Sequence, residues 1–166
     1  YQCEVNDIEK FSLNREFDSI IALFHVVSYL TTNEKLINTF NNAFTHLKKG
    51  GLFIFDVWYT PAVYNLQPRS RIKKISNKNL DVIRIANPEL IDNKSIVNVD
   101  YDIIVKDKIS NNFEMFVEKH PMRHFGIQEI KLLAKLTGFE FVKSEEFLSG
   151  NTTSDKTWGV CFILKK

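Results

Sequence analysis

The stretch from Phe17 to Asp56 reads as strand, helix, strand, and it limits what the chain can fold into more than any other segment. Ser19 to Phe24 (S-I-I-A-L-F) is a short apolar run, and apolar residues at successive positions predict a strand buried on both faces. Thr31 offers an N-cap hydroxyl, with Glu34 three residues on to complete a capping box. Leu36, Ile37, Phe40, Ala43, Phe44 and Leu47 then recur at helical spacing as one stripe. Lys48 and Lys49 suit the last turn of that helix, and Gly50-Gly51 suits its stop. Leu52 to Val57 (L-F-I-F-D-V) predicts a second buried strand, interrupted by one acid, Asp56.

Two buried strands joined by a helix predict a parallel pair. In open parallel sheets, ligands collect beyond the carboxyl ends of the strands. Here those ends are Phe24 to Tyr29 and Asp56 to Tyr59, both polar or aromatic, and they form the first candidate site.

Upstream, Tyr1 to Val5 suits the end of another strand, followed by an acidic turn. After Asp56 the pattern changes. Tyr59 to Pro68 carries two prolines and predicts a connection with at most a short helix. Three alternating segments follow: Leu80 to Ala86, ended by Asn87-Pro88; Ile96 to Lys106; and Phe113 to Phe125. Alternation with turn residues between predicts an antiparallel sheet with one wet face. On the third of these strands Glu118, His120, Met122 and His124 share a face. Glu118 can hold one nitrogen of His120 and raise its basicity, which makes His120 a general-base candidate. No third ligand at suitable spacing joins His120 and His124, so no metal is expected. Helical spacing returns at Ile127, Ile130, Leu133, Ala134 and Thr137, with Gly138 as the stop. Phe139 to Phe147 and Thr157 to Leu164 then predict a terminal hairpin on the edge of the core sheet.

The 166 residues suit one domain with a real core. The net charge of +2 comes without a dense Lys/Arg block, which argues against nucleic acid as a partner. Cys3 and Cys161 have no metal-ligand spacing and suit a reducing compartment, with a bridge between them left open. No apolar run is long enough for a membrane span and no signal peptide is visible, so a soluble, cytoplasmic protein is expected. The chain begins Tyr1-Gln2-Cys3 without Met, which suggests a fragment or a processed product.

The ordered set of motifs resembles the C-terminal part of a class I S-adenosylmethionine-dependent methyltransferase. F-D-S-I-I-A-L-F at Phe17 to Phe24 is similar to that family's fourth strand, and L-K-K-G-G-L-F-I-F-D-V at Leu47 to Val57 to its fifth-strand signature. N-D-I-E-K-F at Asn6 to Phe11 resembles the segment after its third strand. Phe113 to Phe139 resembles the E-x-H, Arg-x-Phe, Glu-Ile, Gly-Phe pattern of small-molecule methyltransferases, with the amino-sugar N-methyltransferases nearest. The fold class expected is therefore α/β: a partial Rossmann-like sheet from the fourth strand onward, closed by an antiparallel hairpin. Residues 1–60 and 126–166 would form the core, and 61–125 an inserted antiparallel substrate-side sheet.

The resemblance implies roles for named residues. Asp7 and Ile8 would contact the adenine of S-adenosylmethionine, and Leu23, Phe24 and His25 its methionine part. Tyr29 would orient the acceptor beside the His120–Glu118 pair, while Trp58, Tyr59, Tyr64 and His124 would line the substrate side. The family's Gly-rich turn is absent; the six glycines are scattered, so these residues alone are expected to bind the cofactor weakly or not at all and to be inactive. The expected activity of the parent is methylation of a nitrogen or oxygen on a small polar metabolite such as a sugar. Two other readings stay open. One is a non-catalytic binding or dimerisation module, a homodimer paired along the apolar edge at Ser19 to Phe24. The other is a nicotinamide-dependent dehydrogenase domain.

Overall fold

The computed structural model describes residues 3–166. The chain divides into two units. The first runs to Leu66 and resumes from Arg123 to Lys166; the second is Gln67–Met122.

The first unit is built on strand β2 (Leu47–Tyr59). Strand β1 (Phe17–Ala22) runs parallel to it, with Ile20 opposite Phe53 and Ala22 opposite Phe55. On the other edge β8 (Gly159–Lys165) pairs antiparallel with β2, and β7 (Glu140–Glu146) pairs antiparallel with β8. The expected parallel pair and terminal hairpin are therefore both present. Helices α1 (Asn33–Thr45) and α3 (Ile127–Leu136) supply apolar stripes to one sheet face. Phe40 of α1 meets Phe53, Phe55 and Phe139 edge-on, and Leu36, Ile130, Val57, Val160 and Phe162 complete the buried cluster. A shorter helix, α2 (Thr60–Leu66), follows β2 directly. No helix of the described residues is long and apolar enough to cross a membrane.

Several local expectations are corrected. β1 is not buried on both faces: Ile20 packs on the core while Ile21 is 60% exposed. The reason is that β1 pairs with β2 alone among the described residues, so only one face and one edge are covered. The cap of α1 is Thr32 rather than Thr31; its Oγ1 accepts from Lys35 N–H at 3.2 Å, which leaves Glu34 in the first turn without a box partner. The helix closes at His46, so Lys48 and Lys49 belong to β2, where Lys48 Nζ reaches Asp18 at 2.8 Å. Gly50-Gly51 does not stop a helix. Gly50, at φ +83°, absorbs a bulge where the β1–β2 register jumps from Phe17–Leu47 to Ser19–Leu52. Tyr1 and Gln2 of the proposed first strand lie outside the described residues, and Cys3 to Val5 are irregular.

The second unit is an antiparallel sheet in the order β3 (Arg71–Ser76), β4 (Leu80–Ile91), β5 (Ile96–Asp107), β6 (Phe113–Phe125). The last residues of β6 belong to the first unit. β4 does not end at Asn87-Pro88 but runs on, with Pro88 opposite Val99. Pairing with β3 stops at Ala86, so Pro88 lies where β4 has a partner on one side only, and a missing N–H is tolerated there. β3 itself escapes the alternation pattern. R-I-K-K-I-S is exposed at every position, as suits a basic edge strand.

Candidate functional site

The site grows from one detail of the first unit's sheet. Along one edge of β2 the partner is β1 as far as Phe55, and from Trp58 it is the end of β6, with His124 opposite Trp58 and Phe125 opposite Tyr59. Asp56 and Val57 lie in between. The gap exists because the chain leaves β1 at Leu23 and turns sharply through Phe24 (φ 62°) and His25 (φ 64°) into a one-turn 3-10 helix, Val26–Tyr29. Two successive non-glycine residues in the left-handed region are strained, and strain of this kind persists only when its surroundings enforce it.

Asp56 does the enforcing. Its carboxylate is fully buried. Oδ2 accepts from the His25 backbone N–H at 3.2 Å and lies 2.6 Å from His25 Nδ1. The ring contact is bent, so it is a close ion-pair approach more than a straight hydrogen bond. Oδ1 has no partner. The turn is locked further by Ser28, whose N–H donates to His25 O at 2.9 Å and whose buried Oγ accepts from Trp58 N–H at 3.2 Å. The loops at 24–29 and 56–59 thus share one place, as their position at the carboxyl ends of parallel strands predicts. The His25–Asp56 contact itself was not foreseen. Its one visible signal was a lone acid in an apolar strand.

The aromatic residues gather here. The His25 ring meets Trp58 edge-on at 6.2 Å, Trp58 meets Trp158 at 5.3 Å, and Phe24, 77% exposed, meets Phe147 at 6.2 Å. Tyr59 N–H donates to Trp158 O at 3.0 Å. Leu23 and Tyr29 are partly exposed at the two ends of the turn. His124 is fully buried: Nδ1 contacts Thr60 Oγ1 at 2.9 Å, Tyr64 packs edge-on at 5.4 Å, and Nε2 has no partner among the described residues. Burial, with a smaller push from the Arg123 charge, holds the His124 pKa below the ordinary imidazole value. Arg123 itself binds Glu129 at 2.7 Å and Asn33 at 2.9 Å.

Asp7 forms an Asx-turn, its Oδ1 accepting from Glu9 N–H at 3.0 Å, and Ile8 packs against the core. Cys3 is exposed and Cys161 buried, both free, so the bridge left open above does not form. Burial, then the charges of Glu145 and Asp56, raise the Cys161 thiol, which keeps it neutral. Among the described residues no three His, Cys, Asp or Glu side chains are placed to hold a metal. In the second unit, His120 Nε2 lies 3.2 Å from Glu118 Oε2, and its ring meets Tyr101 edge-on at 5.0 Å. The Arg84 guanidinium lies over the Tyr101 ring, 4.8 Å from its centre.

No protein-family model matches the chain. Among curated proteins, a dTDP-3-amino-3,4,6-trideoxy-alpha-D-glucopyranose N,N-dimethyltransferase of Streptomyces venezuelae is 31% identical over 58 residues, 35% of this chain and 24% of that protein. YqeM of Bacillus subtilis, whose name assigns it provisionally to the methyltransferases, is 25% identical over 125 residues, 75% of this chain and 49% of that protein. Among solved structures, an S-adenosylmethionine-dependent methyltransferase from Clostridium acetobutylicum superposes on 98% of this chain with a TM-score of 0.80 at 20% identity. CalS10, an amino pentose methyltransferase from Micromonospora echinaspora with S-adenosylmethionine bound, covers 96% with a TM-score of 0.74 at 17% identity. The chain spans 63% and 62% of those two structures. Its fold is that of the S-adenosylmethionine-dependent methyltransferases.

Proposed function

We propose that this protein takes part in S-adenosylmethionine-dependent methyl transfer to a nitrogen or oxygen of a small polar metabolite, with a sugar amine as the first candidate. The observation that carries the reading is the break on one edge of β2, where Asp56 and Val57 have neither β1 nor β6 beside them. This is the crevice at the carboxyl ends of parallel strands where such folds take ligands. The sugar N-methyltransferase among the relatives supports the acceptor class.

The residues at the break fit the chemistry of the cofactor. Its α-ammonium and sulfonium are cationic, and at the turn a buried carboxylate oxygen, Asp56 Oδ1, has no partner among the described residues. S-adenosylmethionine supplies an activated methyl group when bound. Leu23 and Phe24 would hold its methionine end, and Asp7 with Ile8 its adenine. Trp58, Tyr59 and Tyr29 would wall the acceptor and exclude water, since alignment of acceptor and methyl carbon is the main task of such a site. Residues 1–166 hold no Gly-rich turn, so the closest backbone approach to the cofactor is not supplied by them.

Calorimetric titration of S-adenosylhomocysteine into the intact protein tests the reading, with NAD+ as the control ligand. Saturable binding of S-adenosylhomocysteine and none of NAD+ is expected. A preference for NAD+ would favour a dehydrogenase, and binding of neither would overturn the proposal.

A further inference from the structure

We infer that His25 is the general base of this site and that Asp56 is the residue that positions it. The inference rests on the methyl-transfer reading and deepens it: it moves His25 from a cofactor contact to the residue that takes the acceptor's proton.

One carboxylate oxygen, Asp56 Oδ2, accepts from the backbone N–H of His25 and stands 2.6 Å from Nδ1 of the same residue. A carboxylate buried in an apolar strand is costly unless it is paired. Here its pairing is spent on aiming one imidazole. The residue so aimed sits in the left-handed region directly after another in that region, at a turn where glycine or asparagine would relieve the strain. A carboxylate beside Nδ1 favours the tautomer with its proton on that nitrogen, which leaves the Nε2 lone pair for an acceptor. Nδ1 is buried, while 26% of the side chain remains accessible, so the ring opens outward along its other edge. Nε2 has no partner among the described residues. Gly159 makes room for this ring: a Cβ there would stand 3.3 Å from His25 Cε1. The bent Nδ1 contact is of the kind that straightens when a site fills.

Other histidines are placed differently. His46 has both nitrogens engaged, Nε2 by Leu13 N–H and Nδ1 by Asn42 O. His124 is fully buried. His120 turns its Nε2 to Glu118 in the second unit.

In the proposed step, the acceptor N–H or O–H passes its proton to His25 Nε2 as the acceptor lone pair forms a bond to the methyl carbon. The electrons of the breaking carbon–sulfur bond stay on sulfur, which becomes a neutral thioether. The imidazolium is stabilised by the Asp56 carboxylate and then releases its proton to water.

The test uses the intact protein and does not depend on knowing the acceptor. Diethyl pyrocarbonate labelling at fixed pH, read peptide by peptide by mass spectrometry, reports Nε2 reactivity. His25 should label readily in the wild type, S-adenosylhomocysteine should slow that labelling about tenfold or more, and Asp56→Asn should slow it by a similar factor. The ligand-protection arm needs no variant, so it survives a misfolded Asp56→Asn. In a second arm, His25→Gln should lower kcat about 10²- to 10³-fold with KM for both substrates nearly unchanged, using the amino-sugar nucleotide named for the Streptomyces relative as acceptor probe. Protein that binds S-adenosylhomocysteine but leaves His25 labelling unprotected, or a His25→Gln enzyme with unchanged kcat, overturns this inference alone. Protein that does not bind S-adenosylhomocysteine overturns the methyl-transfer reading and the base role with it. If the probe is not methylated by the wild type, the labelling arm decides.

Discussion

His124 should make the fold lose stability in mild acid, and replacing it by phenylalanine should abolish that loss. Its ring is fully buried, with Thr60 at Nδ1 and nothing at Nε2. Burial first, and the Arg123 charge second, lower its pKa in the folded state. The unfolded chain takes up the proton near an ordinary histidine pKa of about 6.5. Below that pH the unfolded state holds a proton that the folded state lacks, so stability falls as pH falls. The slope approaches about 1.4 kcal/mol per pH unit and flattens only below the depressed folded value. The contribution is thus complete above pH ~6.5 and is eroded beneath it. Phenylalanine keeps the ring volume and cannot titrate. At pH 8 the change should be small, within about 1 kcal/mol, because the lost Thr60 contact is offset by removal of the unpartnered nitrogen. Urea unfolding of both proteins at pH 8.0, 6.5 and 5.5 measures the effect as a difference, in which the remaining histidines cancel. The gap between the two stabilities should move by about 1 kcal/mol from pH 6.5 to 5.5, in favour of His124→Phe. Parallel stability curves would refute the claim that this ring is held neutral by burial.

Three further substitutions probe the frame around the site. Phe40→Ala removes the ring that meets Phe53, Phe55 and Phe139, and should cost about 3–5 kcal/mol and lower Tm by on the order of 10 °C in a thermal melt. Gly51→Ala puts a Cβ 2.9 Å from Lys48 O and 3.1 Å from Asp18 O, both backbone, so the β1–β2 bulge must shift at a cost of about 1–3 kcal/mol by urea unfolding. Phe24→Gly relieves the first left-handed residue while losing a side chain that is mostly exposed; stability should rise by about 0.5–1 kcal/mol, with weaker S-adenosylhomocysteine binding by calorimetry.

The strand–helix–strand frame was legible because two apolar runs and one amphipathic stripe agree with each other over forty residues. What was misread lay at the joints, where local signals compete. Thr31 and Thr32 are both able caps, and only the path of the chain selects the second. Lys-Lys-Gly-Gly reads as the end of a helix, yet His46 has already closed it and the pair of glycines serves a bulge between strands. Asn87-Pro88 reads as a stop, but a proline is harmless where the neighbouring strand has ended. In each case the deciding partner is far away in sequence.

The site was half legible for the same reason. Position follows from topology, and the carboxyl ends of the two parallel strands do bring the turn after β1 against Asp56 and Trp58. The working contact needed the register as well. With Ile20 beside Phe53 and Ala22, the last residue of β1, beside Phe55, position 56 falls one residue past the end of β1. A buried acid there must be paired, and the nearest groups able to pair with it are those of the turn that follows β1. Phe24-His25 hides that turn, because neither residue is a usual occupant of the left-handed region. A lone acid at the carboxyl end of an otherwise apolar parallel strand therefore predicts a strained turn on the adjacent strand, and the polar residue in that turn is the one to test first. By that argument His25, whose backbone N–H donates to Asp56 and whose Nδ1 stands 2.6 Å from it, is the residue to test first.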